Sequence, residues 1–286
     1  MGERKWNKEI IILLLPAFIF ISIFFIYPFI YGLYLSFTSE GGTFTIQNYS
    51  RFFTDWWEYR TIGVTLQISL PTTIVSVLFS IPLAYYMRRG MKGERIITFF
   101  LILPITLGAV LIAQGMLTFY GPQGWFNKIL MEIGIIKEPL RLTHNKIGVM
   151  LSLIMQSFPF SFLLLLGYIS GINPDLEKAA KMLGATWWQV FWKVMFPLMS
   201  PGIAIAFALN FVMAFSVFPT AVLLGEPSGP TRVIGYAAYQ WAYEKFNFHM
   251  GSAITLIMGV IELLIVGLIL WWRSLMYRGA SIGGKG

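Results

Sequence analysis

The sequence contains no cysteine and only two histidines, His144 and His249. The absence of cysteine excludes disulfides, thiolate metal sites and cysteine nucleophiles from this chain. Two histidines far apart in sequence leave almost no material for a histidine-based metal site or triad. Charge is scarce as well, because charged residues make up 12% of the 286 residues, whereas soluble domains carry roughly 25%.

Long apolar runs take the place of that charge, and hydrophobic residues make up 57% of the chain. A bilayer core about 30 Å thick needs roughly 20 apolar residues in a helix. Because the runs are continuous rather than alternating, they exclude a transmembrane β-barrel. The sequence therefore predicts an all-α membrane protein whose residues 1–286 form a single transmembrane domain. The predicted spans are about 10–35, 62–87, 96–119, 147–169, 202–224 and 250–272.

The basic residues are distributed unevenly between the two sides that six spans define. Of the 21 lysines and arginines, 13 lie at the termini, between spans two and three, or between spans four and five. Because Lys and Arg accumulate on the cytoplasmic side of membrane proteins, both termini are predicted to be cytoplasmic. The net charge of +8 is then a topology signal, and nucleic acid is not a predicted partner.

The segment between spans four and five, residues 170–200, is about 30 residues long, although helix connections in bundles usually take about 2–8 residues. Asn173, Pro174 and Asp175 are typical of a helix start. Gly184 suits a left-handed helix stop, and Thr186 can cap a second helix. The segment is predicted to form two short cytoplasmic helices, the second ending before Pro197.

This segment resembles the cytoplasmic signature loop of binding-protein-dependent ABC importer permeases, whose pattern is E-A-A-x-x-x-G. The matching residues are Ala179, Ala180, Gly184, Ala185 and the later Pro197. The resemblance implies a type I importer fold in which the first short helix is a coupling helix that docks on an ATPase subunit. The stretches KMLGA, YGPQGWFNKILMEIGII and GSAITLIMG resemble the polyamine-type (spermidine/putrescine) subfamily more than the sugar permeases.

The same resemblance implies a set of partners and a location. These are a second permease subunit in a heterodimer, two ATP-binding subunits and an extracytoplasmic solute-binding protein, in a bacterial or archaeal cytoplasmic membrane. ATP and Mg would be bound by the partner ATPase, and no cofactor is expected in this chain. The substrate implied first is a polyamine-like cation, with sugar, phosphonate, thiamine and ferric iron left open.

One residue departs from the family pattern, because Lys178 stands where the pattern has Glu. Glu177 lies one position earlier. Either Glu177 makes the acidic contact with the ATPase, or the ATPase partner differs there. An amphipathic loop lying on the membrane surface is the alternative to a coupling loop.

An ATPase site of its own is not predicted for this chain. The nearest approach to a phosphate-binding loop is GASIGGKG at residues 279–286. It has glycine where Ser or Thr should bind magnesium, and no helix can follow it in this sequence. No paired carboxylates or activated nucleophile stand out, so the chain is predicted not to be an enzyme.

Glu262 is the one clearly ionisable group in the middle of a predicted span. Such groups are costly in a membrane and often functional. Glu262 could therefore line a pathway for a cationic substrate. Alternatively, its role is structural, and it could form a hydrogen bond to a neighbouring helix or stay protonated. The uncharged residues Gln114, Gln156 and Asn210 are further pathway candidates, although interhelical hydrogen bonds are the commoner role for such side chains.

An ion-coupled secondary transporter and a membrane enzyme are the alternatives from other functional classes. The first predicts inverted repeats and several intramembrane charges, whereas one such charge is present. The second predicts clustered His, Asp or Glu at a membrane face. Neither accounts for the Ala-Ala…Gly segment.

Overall fold

The computed structural model describes residues 8–276, which contain thirteen α-helices, three π-helical segments and no β-strand. Arg4, Lys5, Arg278, Lys285 and the 279–286 segment lie outside the described residues. The α-helices, numbered α1 to α13 in chain order, are Lys8–Ile21, Tyr27–Ser36, Gln47–Thr54, Trp56–Met87, Glu94–Tyr120, Trp125–Glu132, Lys146–Ser170, Asp175–Met182, Trp187–Val190, Phe196–Phe215, Pro219–Leu224, Ile234–Tyr239 and Phe248–Met276.

Six helical stretches in the described part of the chain are long and apolar enough to cross a membrane. This finding confirms the predicted all-α membrane fold with about six transmembrane helices, while the single domain stays a prediction. The stretches are Ile12–Ser36, Trp56–Met87, Glu94–Glu132, Lys146–Ser170, Trp187–Phe215 and Phe248–Ser274.

The fifth span differs from the prediction at both ends. Its helix starts at Trp187 and passes through Pro197 without a stop, so the predicted end of the second short helix was wrong. A π-helical segment, Phe191–Met195, precedes α10, and a wider turn of this kind suits a proline that cannot donate an N–H to the preceding turn. At the other end, α10 stops at Phe215 rather than at residue 224.

The early stop of α10 has a local cause at the start of the next helix. Pro219 begins α11, and Phe218 before it has a non-helical backbone (φ −136°, ψ −60°). A residue that precedes proline is disfavoured in the helical region by contact with the proline ring. Phe196 before Pro197 nevertheless stays helical, so Pro219 favours this break without requiring it. The predicted fifth span is therefore two helices separated by residues 216–218.

The third span is also interrupted, at Gly108 within α5. This residue has φ 73° and ψ 162°, which no helix contains. Glycine reaches this region because it has no Cβ. The break divides α5 into two helical segments that the apolar pattern alone predicted as one.

Residues 60–236 and 258–276 form one compact unit of the described chain. In it α7 packs against α5 and α10, and α11 packs against α5. The buried side of α4 is lined with small hydroxyl residues, which allow neighbouring helices to approach closely. They are Thr61, Thr65, Ser69, Thr72, Thr73, Ser76 and Ser80.

Residues 8–59 and 237–257 form the other compact unit. Trp241 is buried in this unit, and its indole N–H donates to Glu58 Oε1 at 3.0 Å. The Arg51 guanidinium lies 4.5 Å from the centre of the indole ring and the Lys245 ammonium 3.7 Å from it. Cation–π attraction and a carboxylate therefore stabilise this aromatic anchor.

Candidate coupling site and intramembrane carboxylate

Local sequence signals account for the start and the end of α8. The Asp175 N–H donates to Asn173 Oδ1 at 2.9 Å, and Pro174 immediately precedes the helix. Gly184 follows the helix at φ +81°, in the left-handed region that favours glycine. The predicted helix start and the predicted glycine stop are confirmed, although the residue at the N-cap position is Pro174 and not Asn173.

The second predicted cap is confirmed as well, at Thr186 before α9. Its hydroxyl accepts from the Gln189 N–H, and the Gln189 side chain accepts from the Thr186 N–H, which makes a reciprocal capping box. The helices α8 and α9 therefore both have defined ends, and the turn between them contains Gly184 in the left-handed conformation.

The helix α8 has two faces with different environments. Glu177 is buried, with 6% of its surface exposed, and Ala180 packs on a hydrophobic core. On the other face Ala179 is exposed, and the C-terminal Met182 and Leu183 are 88% and 89% exposed. One face thus belongs to the interior of this chain, while the other offers uncovered apolar surface.

The buried carboxylate of Glu177 lies against the end of α4. Arg88 forms an ion pair with Oε1, and Arg89 donates to Oε2 at 2.5 Å. The side chain of Arg88 is only 4% exposed, whereas that of Arg89 is 44% exposed. Burial lowers the pKa of Arg88 below its ordinary value, and the charge of Arg89 adds to that effect. Glu177 therefore supplies the negative charge that this arginine pair needs.

The same arginines connect α8 to the entry of the fifth span through Tyr85. The Arg89 guanidinium donates to the Tyr85 hydroxyl at 3.1 Å, and the Arg88 guanidinium lies 4.9 Å from the Tyr85 ring centre. Tyr85 in turn packs edge-on against Phe191, at 5.3 Å between ring centres. We call Tyr85, Arg88, Arg89 and Glu177 the arginine cluster.

The remaining residues of the predicted coupling site divide between the two environments. Lys178 is exposed and pairs with Asp175 at 2.9 Å on the surface of α8. Ala185 packs on the hydrophobic core beside Ala180, whereas Pro197 is exposed. Glu177 is thus turned toward Arg88 and Arg89 rather than toward the outward face that carries Met182.

Glu262 lies on α13 opposite the break between α10 and α11. Its Oε1 accepts a hydrogen bond from the Ser216 hydroxyl at 2.7 Å. Ser216 is exposed and is the first residue after α10, while Glu262 is half-buried. A carboxylate with one neutral partner therefore stands beside an interrupted helix in a membrane span.

The three uncharged pathway candidates are not gathered around that carboxylate. Asn210 is fully buried and donates to Ser161 Oγ on α7, which is an interhelical contact. Gln156 donates weakly to Thr220 Oγ1 at 3.4 Å, and Gln114 is exposed on α5. Within residues 8–276, no hydrogen bond or ion pair joins any two of these residues or joins one of them to Glu262.

Sequence reasoning missed the arginine cluster and the partner of Glu262. Arg88 and Arg89 entered only as topology signals, although two adjacent arginines directly after a span could have been matched with the acid in the next cytoplasmic segment. Nothing in the sequence around Ser216 indicated a contact with Glu262, and Pro219, three residues later, was the one local sign of a helix break. Among the described residues, no group of three or more His, Asp or Glu side chains could hold a metal ion.

Comparison with known proteins shows the family to which this sequence belongs. Residues 76–281 match the model of the family described as "Binding-protein-dependent transport system inner membrane component". That range contains α8, the arginine cluster and Glu262. It covers more than half of the chain.

Individual relatives agree with that match. The chain is 28% identical to the spermidine/putrescine transport system permease protein PotB of Haemophilus influenzae, over 92% of this chain and 93% of the relative. It is 31% identical to the probable sulfate transport system permease protein cysT of Chlorokybus atmophyticus, over 49% and 50%. In fold it resembles a chain of a bacterial alginate ABC transporter in complex with an alginate pentasaccharide-bound periplasmic protein. That likeness has a TM-score of 0.81 at 24% identity, over 94% of this chain and 95% of the other.

Proposed function

Because this chain belongs to the family of binding-protein-dependent transport system inner membrane components, and is a permease subunit of an ABC importer, we propose that it forms half of a translocation pathway. The other half is a second permease subunit of different sequence. The solute is small and polar or cationic.

The proposed assembly also contains two ATP-binding subunits, which bind ATP and Mg, and an extracytoplasmic solute-binding protein. The family description, which names a binding protein and an inner membrane, supports this assembly. The chain itself holds no ATPase site in this proposal. It lies in a bacterial or archaeal cytoplasmic membrane with both termini on the cytoplasmic side, as the distribution of Lys and Arg favours.

The observation that carries the coupling role is the division of α8 into two faces. Met182 and Leu183 expose nearly 90% of their surface at the end of a helix whose opposite face is fixed by Glu177. Exposed apolar side chains next to a rigid attachment are suited to a groove on a partner protein. We assign that groove to the ATPase subunit.

Coupling then follows from the contacts of the arginine cluster. When the ATPases close and shift α8, Glu177 moves with the helix. Its ion pairs then pull Arg88 and Arg89 at the end of α4 in the same direction. Tyr85 passes the displacement to Phe191, at the entry of the fifth span. Buried, charge-assisted contacts transmit such a shift because breaking them leaves unpaired charge in the interior.

The proposed solute is a polyamine-like cation, and two features support it. The relative from Haemophilus influenzae is named as a spermidine/putrescine permease and matches nearly the full length of the chain. Glu262 supplies a carboxylate within a span, beside the break at residues 216–218. A sulfate permease is the second candidate, favoured by the cysT relative, but a carboxylate in the pathway would repel that anion.

The docking of α8 is tested by substitutions on its outward face. Met182→Glu and Leu183→Glu place a charge where an apolar contact is proposed, without touching a buried group. We expect both variants to reach the membrane and to lose the ATPase subunit on purification in mild detergent. Lys92→Glu is the matched control, since Lys92 is exposed on the same predicted side and should retain the ATPase. Retention of the ATPase by all three variants would contradict the proposed docking face.

The solute class is tested with the complete transporter in proteoliposomes. Uptake of labelled spermidine should be competed by putrescine and not by sulfate or a neutral sugar. Competition by sulfate instead would support the second candidate function, a sulfate permease. An absence of ATP-dependent uptake for every one of these solutes would leave the coupling proposal intact but remove the cation proposal.

A further inference from the structure

A cavity of about 460 Å³ lies between α8 and the ends of α4 and α7. Its wall contains the arginines of the arginine cluster, Glu177, and two lysines of α8, Lys178 and Lys181. Glu177 and Lys181 are four residues apart on a helix and so share one face. The cavity is therefore a basic pocket on the side of α8 that faces the ends of α4 and α7. It is distinct from the exposed face that carries Met182.

The depth of the cavity in the membrane follows from its position on the helices. Arg88 is the first residue after the second span, and Ser170, which also lines the cavity, is the last residue of the fourth. Both span ends are on the predicted cytoplasmic side. Span ends lie at the level of the lipid headgroups, where cytoplasmic leaflets carry negative charge.

Charge in the cavity is not balanced by the protein. Four cationic side chains line it, and Glu177 is the only acidic residue in its wall. Glu177 is engaged by both arginines, and Asp175 partly compensates Lys178 from the surface. Lys181 has no ion-pair partner in the described part of the chain. An anion in the cavity would relieve the repulsion among these groups.

Arg88, which lines the cavity, and its partner Glu177 both carry buried polar atoms without a hydrogen-bond partner in the described part of the chain. The side chain of Arg88 is 4% exposed, and its Nε, like Oε1 of Glu177, lies buried with no hydrogen-bond partner among the described residues. Buried donors are almost always paired, and those without a protein partner commonly bind water, an ion or a ligand. Guanidinium and phosphate are well matched, because the planar donors of arginine bind phosphate oxygens in pairs.

We propose that this cavity binds a phosphate group, with Arg88, Arg89 and Lys181 as its ligands. The phosphate belongs either to the headgroup of an anionic phospholipid or to a free phosphate anion, and the two share the same recognition chemistry. Such a site goes beyond the transport role. It would make the seating of the coupling helix depend on the membrane or on the phosphate level around it.

The first arm of the test uses the complete transporter purified from phosphatidylcholine vesicles with and without phosphatidylglycerol. Native mass spectrometry then counts the phosphatidylglycerol molecules that remain bound. Lys181→Gln should weaken retention about fivefold, the effect of one basic residue near an anionic surface. Lys181→Arg should restore it. Lys193→Gln, at an exposed lysine outside the cavity wall, should leave retention unchanged.

The second arm titrates inorganic phosphate into the same transporter in phosphatidylcholine alone, followed by calorimetry. Saturable binding that Lys181→Gln weakens identifies a free anion as the source, whereas retention of phosphatidylglycerol alone identifies the lipid. Failure of both arms overturns the proposal. Equal losses in Lys181→Gln and Lys193→Gln also overturn it, because they indicate general surface attraction. Neither readout depends on which solute is transported.

Discussion

Two carboxylates of this chain, Glu177 and Glu262, stand in contrasting surroundings. Glu177 is 6% exposed and contacts two guanidinium groups outside the spans. Glu262 is half-buried within a span and contacts a single hydroxyl, that of Ser216. Each oxygen of Glu177 forms an ion pair with one arginine, while Glu262 accepts one hydrogen bond from a neutral hydroxyl beside an interrupted helix.

The contrast indicates which acid stabilises the protein and which one can meet a substrate. A carboxylate between two arginines positions helices, because separating the charges is costly. A carboxylate with one neutral partner exchanges that partner at little cost, since a neutral hydrogen bond contributes only about 0.5–1.5 kcal/mol. The following substitutions test this assignment, beginning with the largest expected effect.

Glu177→Ala should be the most damaging change. It leaves the buried Arg88 without its counter-ion, and removal of one partner from a buried pair costs about 3–5 kcal/mol. We expect a clear fall in the unfolding temperature of the detergent-solubilised protein and a loss of transport. Asp175→Asn is the matched control, since the Asp175 pair is about 70% exposed and surface pairs contribute about 0–1 kcal/mol. Equal unfolding temperatures for the two variants would contradict the structural role of Glu177.

Glu262→Gln should leave stability nearly unchanged and reduce uptake of a polyamine-like cation roughly 30-fold. The basis is that hydrogen bonds to charged groups contribute about 1.5–3 kcal/mol, and the amide retains the shape but not the charge. The measurement is the uptake rate in proteoliposomes, with ATP hydrolysis by the partner subunits recorded in parallel. Unchanged uptake together with unchanged substrate-stimulated ATP hydrolysis would assign Glu262 a role in helix packing only.

Gly184→Ala should weaken coupling without loss of contacts. The residue has φ +81°, and a Cβ placed there meets nothing within 4 Å, so the cost is the left-handed backbone itself, about 1–2 kcal/mol. We expect less ATP hydrolysis per bound ATPase and weaker co-purification. Gly259→Ala is the control, because its Cβ also meets nothing within 4 Å and it lies within a helix. A variant at residue 184 that behaves like the control would show that the turn angle is unimportant.

Ser216→Ala should have the smallest effect. It removes the hydrogen bond to Glu262 but keeps the carboxylate, so a change in uptake of about fivefold is expected, mostly in KM. The comparison with Glu262→Gln separates positioning from charge. A larger loss from Ser216→Ala than from Glu262→Gln would reverse the assignment.

The sequence by itself determined the features that depend on local physics. Apolar runs of about 20 residues specified the six spans, because backbone groups in lipid must be paired within helices. The ends of α8 and the cap of α9 were likewise readable, since Asn173, Gly184 and Thr186 act on their own neighbours. The break after α10 was not readable in this way, because Pro219 follows it but Pro71, Pro82 and Pro159 lie inside helices.

Only the tertiary structure decided which partners the charged residues have. Arg88 and Glu177 are 89 positions apart, and no local pattern indicates that they meet. The burial of Glu177, the exposure of Met182 and the pairing of Ser216 with Glu262 all depend on how whole helices pack. The physical reason is range: hydropathy and helix caps act within one or two turns, whereas the environment of a charge is set by helices far away in sequence.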